Sequence, residues 1–399
     1  MAQTKGTSRR NFLKTAAVSS LAAGVGGQAL VGRVDAEEAI SDTVPRRQLG
    51  TTGETIPILL VGCAMKFDPK YDKILHRAYK AGVNYLDTAL RYADGQSHKT
   101  IAPFIKQIGD RKKLWITSKG PSRDADVAKY ISDLDICLEQ METDYLDLYF
   151  MHAVDDPSFL DPEYIAMGEA LRKSGKTRYF GFSCHGDRQV ECMNRAAEVG
   201  GIDAIMFRYS FARYGDLELN KAIDACKKAG IGLIAMKTQD SVPSDQEDVK
   251  HFQSKDFTLG QAKLKAVWAD DRIDAAVSHM DNTDKLAENI AAAKSPVQLT
   301  MAEMQQLQRM ATRRASHSCQ GCSHICEDRV EGDLKIARSL RYLMYAECYG
   351  EVERGRGLYA QMSDAERRFD GIDLCEAERA CPQGIRIAER LADAQRVLA

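Results

Sequence analysis

The sequence predicts an α/β protein: a (β/α)8 TIM barrel followed by a small, mainly helical, cysteine-rich C-terminal domain. Short apolar runs alternate with helical patterns eight times over roughly 250 residues, the size and rhythm of such a barrel. The runs hold few polar residues, as parallel strands covered on both faces must. The small domain is predicted by cysteine usage: of 11 cysteines, Cys319, Cys322, Cys326, Cys348, Cys375 and Cys381 all lie beyond residue 318.

Residues 1–36 come first. Ser8-Arg9-Arg10-Asn11-Phe12-Leu13-Lys14 precedes a weakly apolar stretch rich in Ala, Gly, Val and Ser, and Val34-Asp35-Ala36 supplies a cleavage-like end. This resembles a twin-arginine signal peptide, which implies export to the periplasm of an already folded protein, often one that has taken up a cofactor. The bland alternative is a flexible basic N-terminus.

The barrel is placed at residues 45–300. Its strand candidates are Ile58–Cys63, Asn84–Ala89, Lys113–Lys119, Tyr145–His152, Tyr179–Cys184, Ala204–Ser210, Gly232–Thr238 and Ala275–Met280. Between them lie helix patterns such as Tyr71–Ala81, Val127–Met141, Gln189–Val199, Leu217–Ala229 and Asp284–Ala293. Several end at glycine, as in Ala81-Gly82 and Ala229-Gly230, a C-cap signal. A doubly wound open sheet is the competing architecture, but no GxGxxG follows the first strand.

Barrel enzymes carry their chemistry at the C-terminal ends of strands. The polar residues there are Asp87, Lys119 and His152, with Tyr92 in the loop after Asp87. Singly, each has an ordinary reading: a helix cap, a rim charge, a hydrogen-bonded core histidine, a loop anchor. Together, on consecutive strands, they point to a site.

Further motifs fall in order around them. Arg47-Gln48-Leu49-Gly50-Thr51-Thr52-Gly53 is followed by Ala81-Gly82-Val83-Asn84-Tyr85-Leu86-Asp87-Thr88-Ala89. Then come Thr117-Ser118-Lys119, Asp144-Tyr145-Leu146-Asp147-Leu148-Tyr149, Gly175-Lys176, Gly181-Phe182-Ser183 and Glu288-Asn289. Over roughly residues 46–295 the chain resembles the aldo/keto reductases. The resemblance implies carbonyl reduction or alcohol oxidation with NADP(H) lying across the barrel mouth. It implies Tyr92 as proton donor, Lys119 lowering the Tyr92 pKa, Asp87 holding Lys119, and His152 orienting the substrate oxygen.

The same resemblance places cofactor-binding residues at Ser183, Lys237, Lys285, Glu288 and Asn289. Lys237 is positioned to meet phosphate, and Lys285 to meet the adenosine 2′-phosphate, which leans toward NADP over NAD. The pattern departs at the nicotinamide pocket, where the family's Asn and Gln are replaced by Cys184 and Met206. That departure supports a second reading, a catalytically altered barrel acting as a binding or electron-transfer partner protein.

After Ala315 the texture changes, and residues 316–399 are assigned to the small domain. Cys319, Cys322 and Cys326 form a C-x2-C-x3-C run, followed much later by Cys375 and Cys381-Pro382. Closely spaced thiolates and a final Cys-Pro resemble the ligand run of 4Fe–4S ferredoxins. The resemblance implies Cys319, Cys322, Cys326 and Cys381 as ligands, with Cys375 as the alternative fourth. A structural zinc site, disulfides, or a tail without metal are the competing readings. Leu334–Tyr359 reads as one helix, with Cys348 packed inside it.

Lys+Arg is 55 against 57 Asp+Glu, a net charge of −2, so nothing in the overall charge attracts nucleic acid or an anionic membrane. No run of about 18 apolar residues follows the N-terminus, so no transmembrane body is expected. The expected partners are a small carbonyl or alcohol substrate and a redox partner at the C-terminal domain.

Overall fold

The structure is a computed structural model. It describes residues 42–122, 126–186, 188–239, 252–315, 319, 321, 323–349, 351–381 and 383–399. The signal-peptide assignment at residues 1–36 and the ligand assignment of Cys322 lie outside the described residues.

Eight parallel strands close into a barrel. They are β3 (Leu59–Gly62), β4 (Tyr85–Asp87), β5 (Trp115–Ser122), β6 (Leu146–His152), β7 (Thr177–Cys184), β8 (Ala204–Arg208), β9 (Gly232–Met236) and β10 (Ala275–His279). Neighbours in sequence are neighbours in the sheet, and β10 closes on β3 by pairing Ala276 with Leu59 and His279 with Gly62. All eight predicted runs are strands, most of them trimmed at their ends.

Alternation along each strand explains the near-continuous apolar runs. Leu60, Tyr85, Trp115, Leu148, Phe150, Met206 and Ile234 fill the bore. Leu59, Val61, Leu86, Ile116, Tyr149, Phe182, Ile205 and Leu233 face the surrounding helices. Cys63, Cys137, Cys184, Cys192 and Cys226 belong to that outer layer, and all are buried.

A hairpin that sequence patterning missed comes before the barrel. β1 (Arg46–Gln48) pairs antiparallel with β2 (Thr55–Pro57), and each is too short to show a period. Leu49 and Ile56 from this hairpin join the bore cluster. Gly50 permits the approach: its φ is 50°, and a Cβ there would lie 2.4 Å from the Gly230 carbonyl oxygen and from the Gly232 nitrogen.

Helices Val127–Met141 and Gln189–Val199 span the predicted residues. The predicted Tyr71–Ala81 helix starts later, at Lys73, because the Asp72 carboxylate accepts from the Ile74 and Leu75 amides at 2.8 and 3.0 Å and caps it. The predicted single helix Leu334–Tyr359 is corrected to two, Ile336–Tyr349 and Val352–Ala360. They fold back on one another where Gly355 leaves room: a Cβ there would stand 2.8 Å from the Tyr342 carbonyl oxygen. Leu343, Ala346 and Tyr359 can then share one core with Ala394 and Leu398 of the last helix.

Residues Ser41–Ala399 form one unit, so barrel and C-terminal segment belong to the same body. Among the described residues no helix is long and apolar enough to cross a membrane.

Candidate active site

Three strands and one turn build the mouth. Asp87 is the last residue of β4, Lys119 stands in β5, and His152 ends β6. Tyr92 sits in the turn after β4, its amide donating to the Ala89 carbonyl at 3.0 Å. The next two residues, Ala93 and Asp94, have φ of 53° and 54°. Left-handed backbone at two successive non-glycine residues is uncommon and concentrates where function demands a fixed turn.

The four side chains meet. Lys119 Nζ donates to Asp87 Oδ1 at 2.6 Å, to the Thr88 carbonyl at 2.8 Å and to the Tyr92 hydroxyl at 3.3 Å. The Tyr92 and His152 rings lie edge to face, with centroids 5.8 Å apart. The Lys119 and Asp87 side chains are only 1% and 4% exposed.

Burial sets the electrostatics. It lowers Lys119, but Asp87 and Tyr92 beside it outweigh that effect and hold the ammonium above its ordinary range. For Tyr92 the direction differs from the sequence expectation. Burial lifts the phenol above its usual value, more than Lys119 lowers it, with Asp87 also lifting it. Tyr92 therefore keeps its proton at neutral pH, as a donor must.

His152 is pushed down to about 3 by burial, by Lys119 and by Arg91, and its Nδ1 is buried without a hydrogen-bond partner. Its imidazole is neutral above that value. We expect a pH–rate profile with no limb from His152 between about pH 5 and 8. A limb near the free-histidine value that vanishes in His152→Gln would contradict this.

The residues assigned to the cofactor are less unified. Ser183 in β7 is buried, and its Oγ accepts from the Ala153 amide at 2.9 Å. Cys184 does not stand in the pocket as the sequence comparison suggested. Strand alternation turns it to the helix layer, where burial and the nearby Cys192 and Cys226 raise its thiol well above the usual range. Met206 does line the bore. Lys237 follows β9 with φ 55°.

Lys285, Glu288 and Asn289 ride on helix Thr283–Lys294 and are engaged locally. Lys285 is exposed and paired with Asp281 at 2.9 Å. Glu288 accepts from the Thr258 hydroxyl. Asn289 donates to Ser278 Oγ at 2.9 Å.

Sequence reading missed His185, which follows β7 and lies within electrostatic reach of His152, Lys237, Arg208 and Arg341. Its place just past a strand end was the available signal. Arg341 comes from helix Ile336–Tyr349, and no strand pattern could have flagged it.

In the C-terminal segment, Cys326 is buried in an apolar cluster with Leu334, Ile336, Leu340, Leu374 and Leu391, and Cys319 and Cys381 pack against that cluster. Cys375 is exposed. Among the described residues no group of three or more His, Cys, Asp or Glu side chains is arranged to hold a metal. The Cys348 side chain, like Cys322, lies outside the described set.

Comparisons with known proteins find likenesses over part of the chain. The Aldo/keto reductase family model matches residues 65–241. An aldo-keto reductase of Gibberella moniliformis is 29% identical over 184 residues, 44% of this chain and 55% of that protein. The Schizosaccharomyces pombe aldo-keto reductase yakc [NADP(+)] is 25% identical over 185 residues, 42% of this chain and 53% of that protein. The chain thus spans about half the length of these curated relatives. An aldo-keto reductase structure from Bacillus halodurans (holo form) superposes with a TM-score of 0.57 at 22% identity, covering 67% of this chain and 96% of that one, a likeness of fold.

Proposed function

We propose that this chain, whose residues 65–241 match the aldo/keto reductase family model, is an NADP(H)-linked oxidoreductase of that family that interconverts small carbonyls and alcohols. One observation carries the reading: the buried Lys119 ammonium touches both Asp87 and the Tyr92 hydroxyl, and the Tyr92 ring meets His152 edge to face.

The mouth suits a nucleotide at its phosphate side, where Lys237 has no partner among the described residues. The nicotinamide side offers Ser183 and His185 where the family's amides are replaced. Lys285, Glu288 and Asn289 would hold the adenosine end, Lys285 by releasing Asp281. The name of the fission-yeast relative, with NADP(+) in it, supports the same cofactor. NADPH, when bound, supplies the hydride that the carbonyl carbon accepts.

The chain's own residues do the rest. Neutral His152 donates a hydrogen bond to the substrate oxygen and fixes its direction. Tyr92 transfers its phenolic proton to that oxygen as negative charge develops there. Lys119 stabilises the phenolate left behind, and Asp87 keeps the buried Lys119 charged. The test is a panel of aldehydes with NADPH deuterated at the transferring position. Deuterium on the product carbon supports the proposal. Tight nucleotide binding with no turnover of any carbonyl would favour a binding barrel instead, the reading that Met206 in the bore supports.

The C-terminal segment is proposed to hold a 4Fe–4S cluster on Cys319, Cys322, Cys326 and Cys381, and through it to meet a redox partner. Cys381 is preferred to Cys375 because Cys381 packs on the cluster that contains Cys326 and Cys375 is exposed. Soft thiolates in an apolar setting suit iron and sulfide. Anaerobically purified protein is expected to be brown, with equal iron and sulfide, and Cys381→Ser should bleach it where Cys375→Ser does not. Colourless protein with one zinc would replace the cluster by a structural zinc site, and protein lacking both metals with oxidised thiols would point to disulfides.

Export to the periplasm by the twin-arginine route is part of the same proposal, supported by Arg9 and Arg10 ahead of the weakly apolar stretch. Arg9→Lys with Arg10→Lys should leave the protein in the cytoplasm. Periplasmic recovery of that variant at the normal level would refute the route.

A further inference from the structure

Four consecutive barrel strands end in nitrogen-bearing side chains. β6 ends in His152, β7 is followed by His185, β8 ends in Arg208, and β9 is followed by Lys237. The strands are adjacent, with Cys184 beside Phe207 and Arg208 beside Met236. The four side chains therefore leave one arc of the C-terminal rim. At two points on this arc the backbone is left-handed without glycine, at Ala153 (φ 57°) and at Lys237 (φ 55°). Such conformations persist only where the surroundings hold them.

A further cation comes from outside the barrel. Arg341, on helix Ile336–Tyr349, lies near enough that its charge acts on both His185 and Lys237. Its guanidinium also lies against the cysteine run, since a Cβ on Gly321 would stand 3.1 Å from Arg341 Nη2. Neither the Lys237 nor the Arg341 side chain has a hydrogen bond or ion pair among the described residues. His185 Nδ1 is out of solvent with no partner. Lys237 is itself exposed on the rim, with the charges of Arg341 and Arg208 acting on it. Cations that repel one another in a half-buried mouth, with unused donors, are a site arranged for negative charge.

We propose that Lys237, His185 and Arg341 form an oxyanion-binding site, built jointly by the barrel rim and the C-terminal helix, that holds a carboxylate or phosphoryl group beside the catalytic residues. The guanidinium supplies a planar fork of donors and the ammonium a point charge, the pair that oxyanions favour. The anion belongs either to the nucleotide or to an acidic carbonyl substrate. That choice of ligand rests on the reductase reading, whereas the anion site itself does not.

The test begins without nucleotide or turnover. Isothermal titration of the full chain with inorganic pyrophosphate and with oxalate should show binding of at least one of them. Arg341→Met and Lys237→Met, each checked for folding by circular dichroism, should weaken it by about tenfold or more, and Arg341→Lys should recover part of the loss. Absence of binding in the wild type, or unchanged binding in both folded Met variants, overturns the site. Two further measurements assign the anion. A raised NADP(+) Kd in Arg341→Met assigns it to the cofactor. A raised KM for 4-carboxybenzaldehyde with benzaldehyde unchanged assigns it to the substrate. If no carbonyl is turned over at all, the reductase reading fails while the titration still decides the anion site.

Discussion

Replacing Tyr92 by Phe should remove about 10²-fold or more of the reductase rate while leaving nucleotide affinity in place. The substitution deletes one oxygen. The ring keeps its edge-to-face contact with His152 and its place 4.7 Å from the Lys119 ammonium, so folding and the shape of the mouth are preserved. What disappears is the proton that burial keeps on the phenol. The loss should fall on kcat, since a proton transferred only as the carbonyl is reduced contributes to the transition state and not to ground-state binding. Single-turnover mixing of the preloaded protein with aldehyde measures this. A Tyr92→Phe rate within a few fold of wild type would remove Tyr92 from the chemistry.

The second large effect is on stability. Asp87→Ala should cost about 3–5 kcal/mol, because it strands the Lys119 ammonium in a buried site. Only the Thr88 carbonyl and the Tyr92 hydroxyl remain for it, at 2.8 and 3.3 Å. Lys119→Met should be destabilising for the mirror reason, an unpaired buried carboxylate. The double variant Asp87→Leu with Lys119→Met should return much of the stability, since it removes both charges together. It should nevertheless be inactive, because nothing stabilises the phenolate of Tyr92. Urea midpoints of the singles and the double close the cycle. Strictly additive losses would show that the two charges are not coupled, and the role given to Asp87 would fall.

The eight strands were readable because a parallel strand buried on both faces leaves an unbroken apolar signature, and Asp87, Lys119 and His152 stood out against it as polar residues at strand ends. Other features had no such contrast. The β1–β2 hairpin is too short to show alternation, yet it seals the bore with Leu49 and Ile56. The two C-terminal helices approach closely at Gly355, a packing feature that no local pattern announces. Cys184 was placed in the mouth by alignment, and only the pleat reveals that it faces the helices. The direction of the Tyr92 shift depends on how burial compares with a cation already shared with Asp87, which no motif encodes. Arg341 reaches the mouth from a helix more than a hundred residues along the chain from Lys237, so its part is legible only in three dimensions.

The placement of sulfur divides the molecule by its response to oxidants. Cys63, Cys137, Cys184, Cys192 and Cys226 are all buried. Burial pushes the thiols of Cys137, Cys192 and Cys226 up to about 12, and those of Cys63 and Cys184 well above their usual range. Reaction with peroxide, alkylating agents or a disulfide requires a thiolate within reach, and the folded barrel presents none of these five. Cys375, by contrast, stands exposed. An oxidant or alkylating agent would therefore meet the terminal segment at Cys375, where Asp373 raises the thiol, before it met any of the five barrel cysteines.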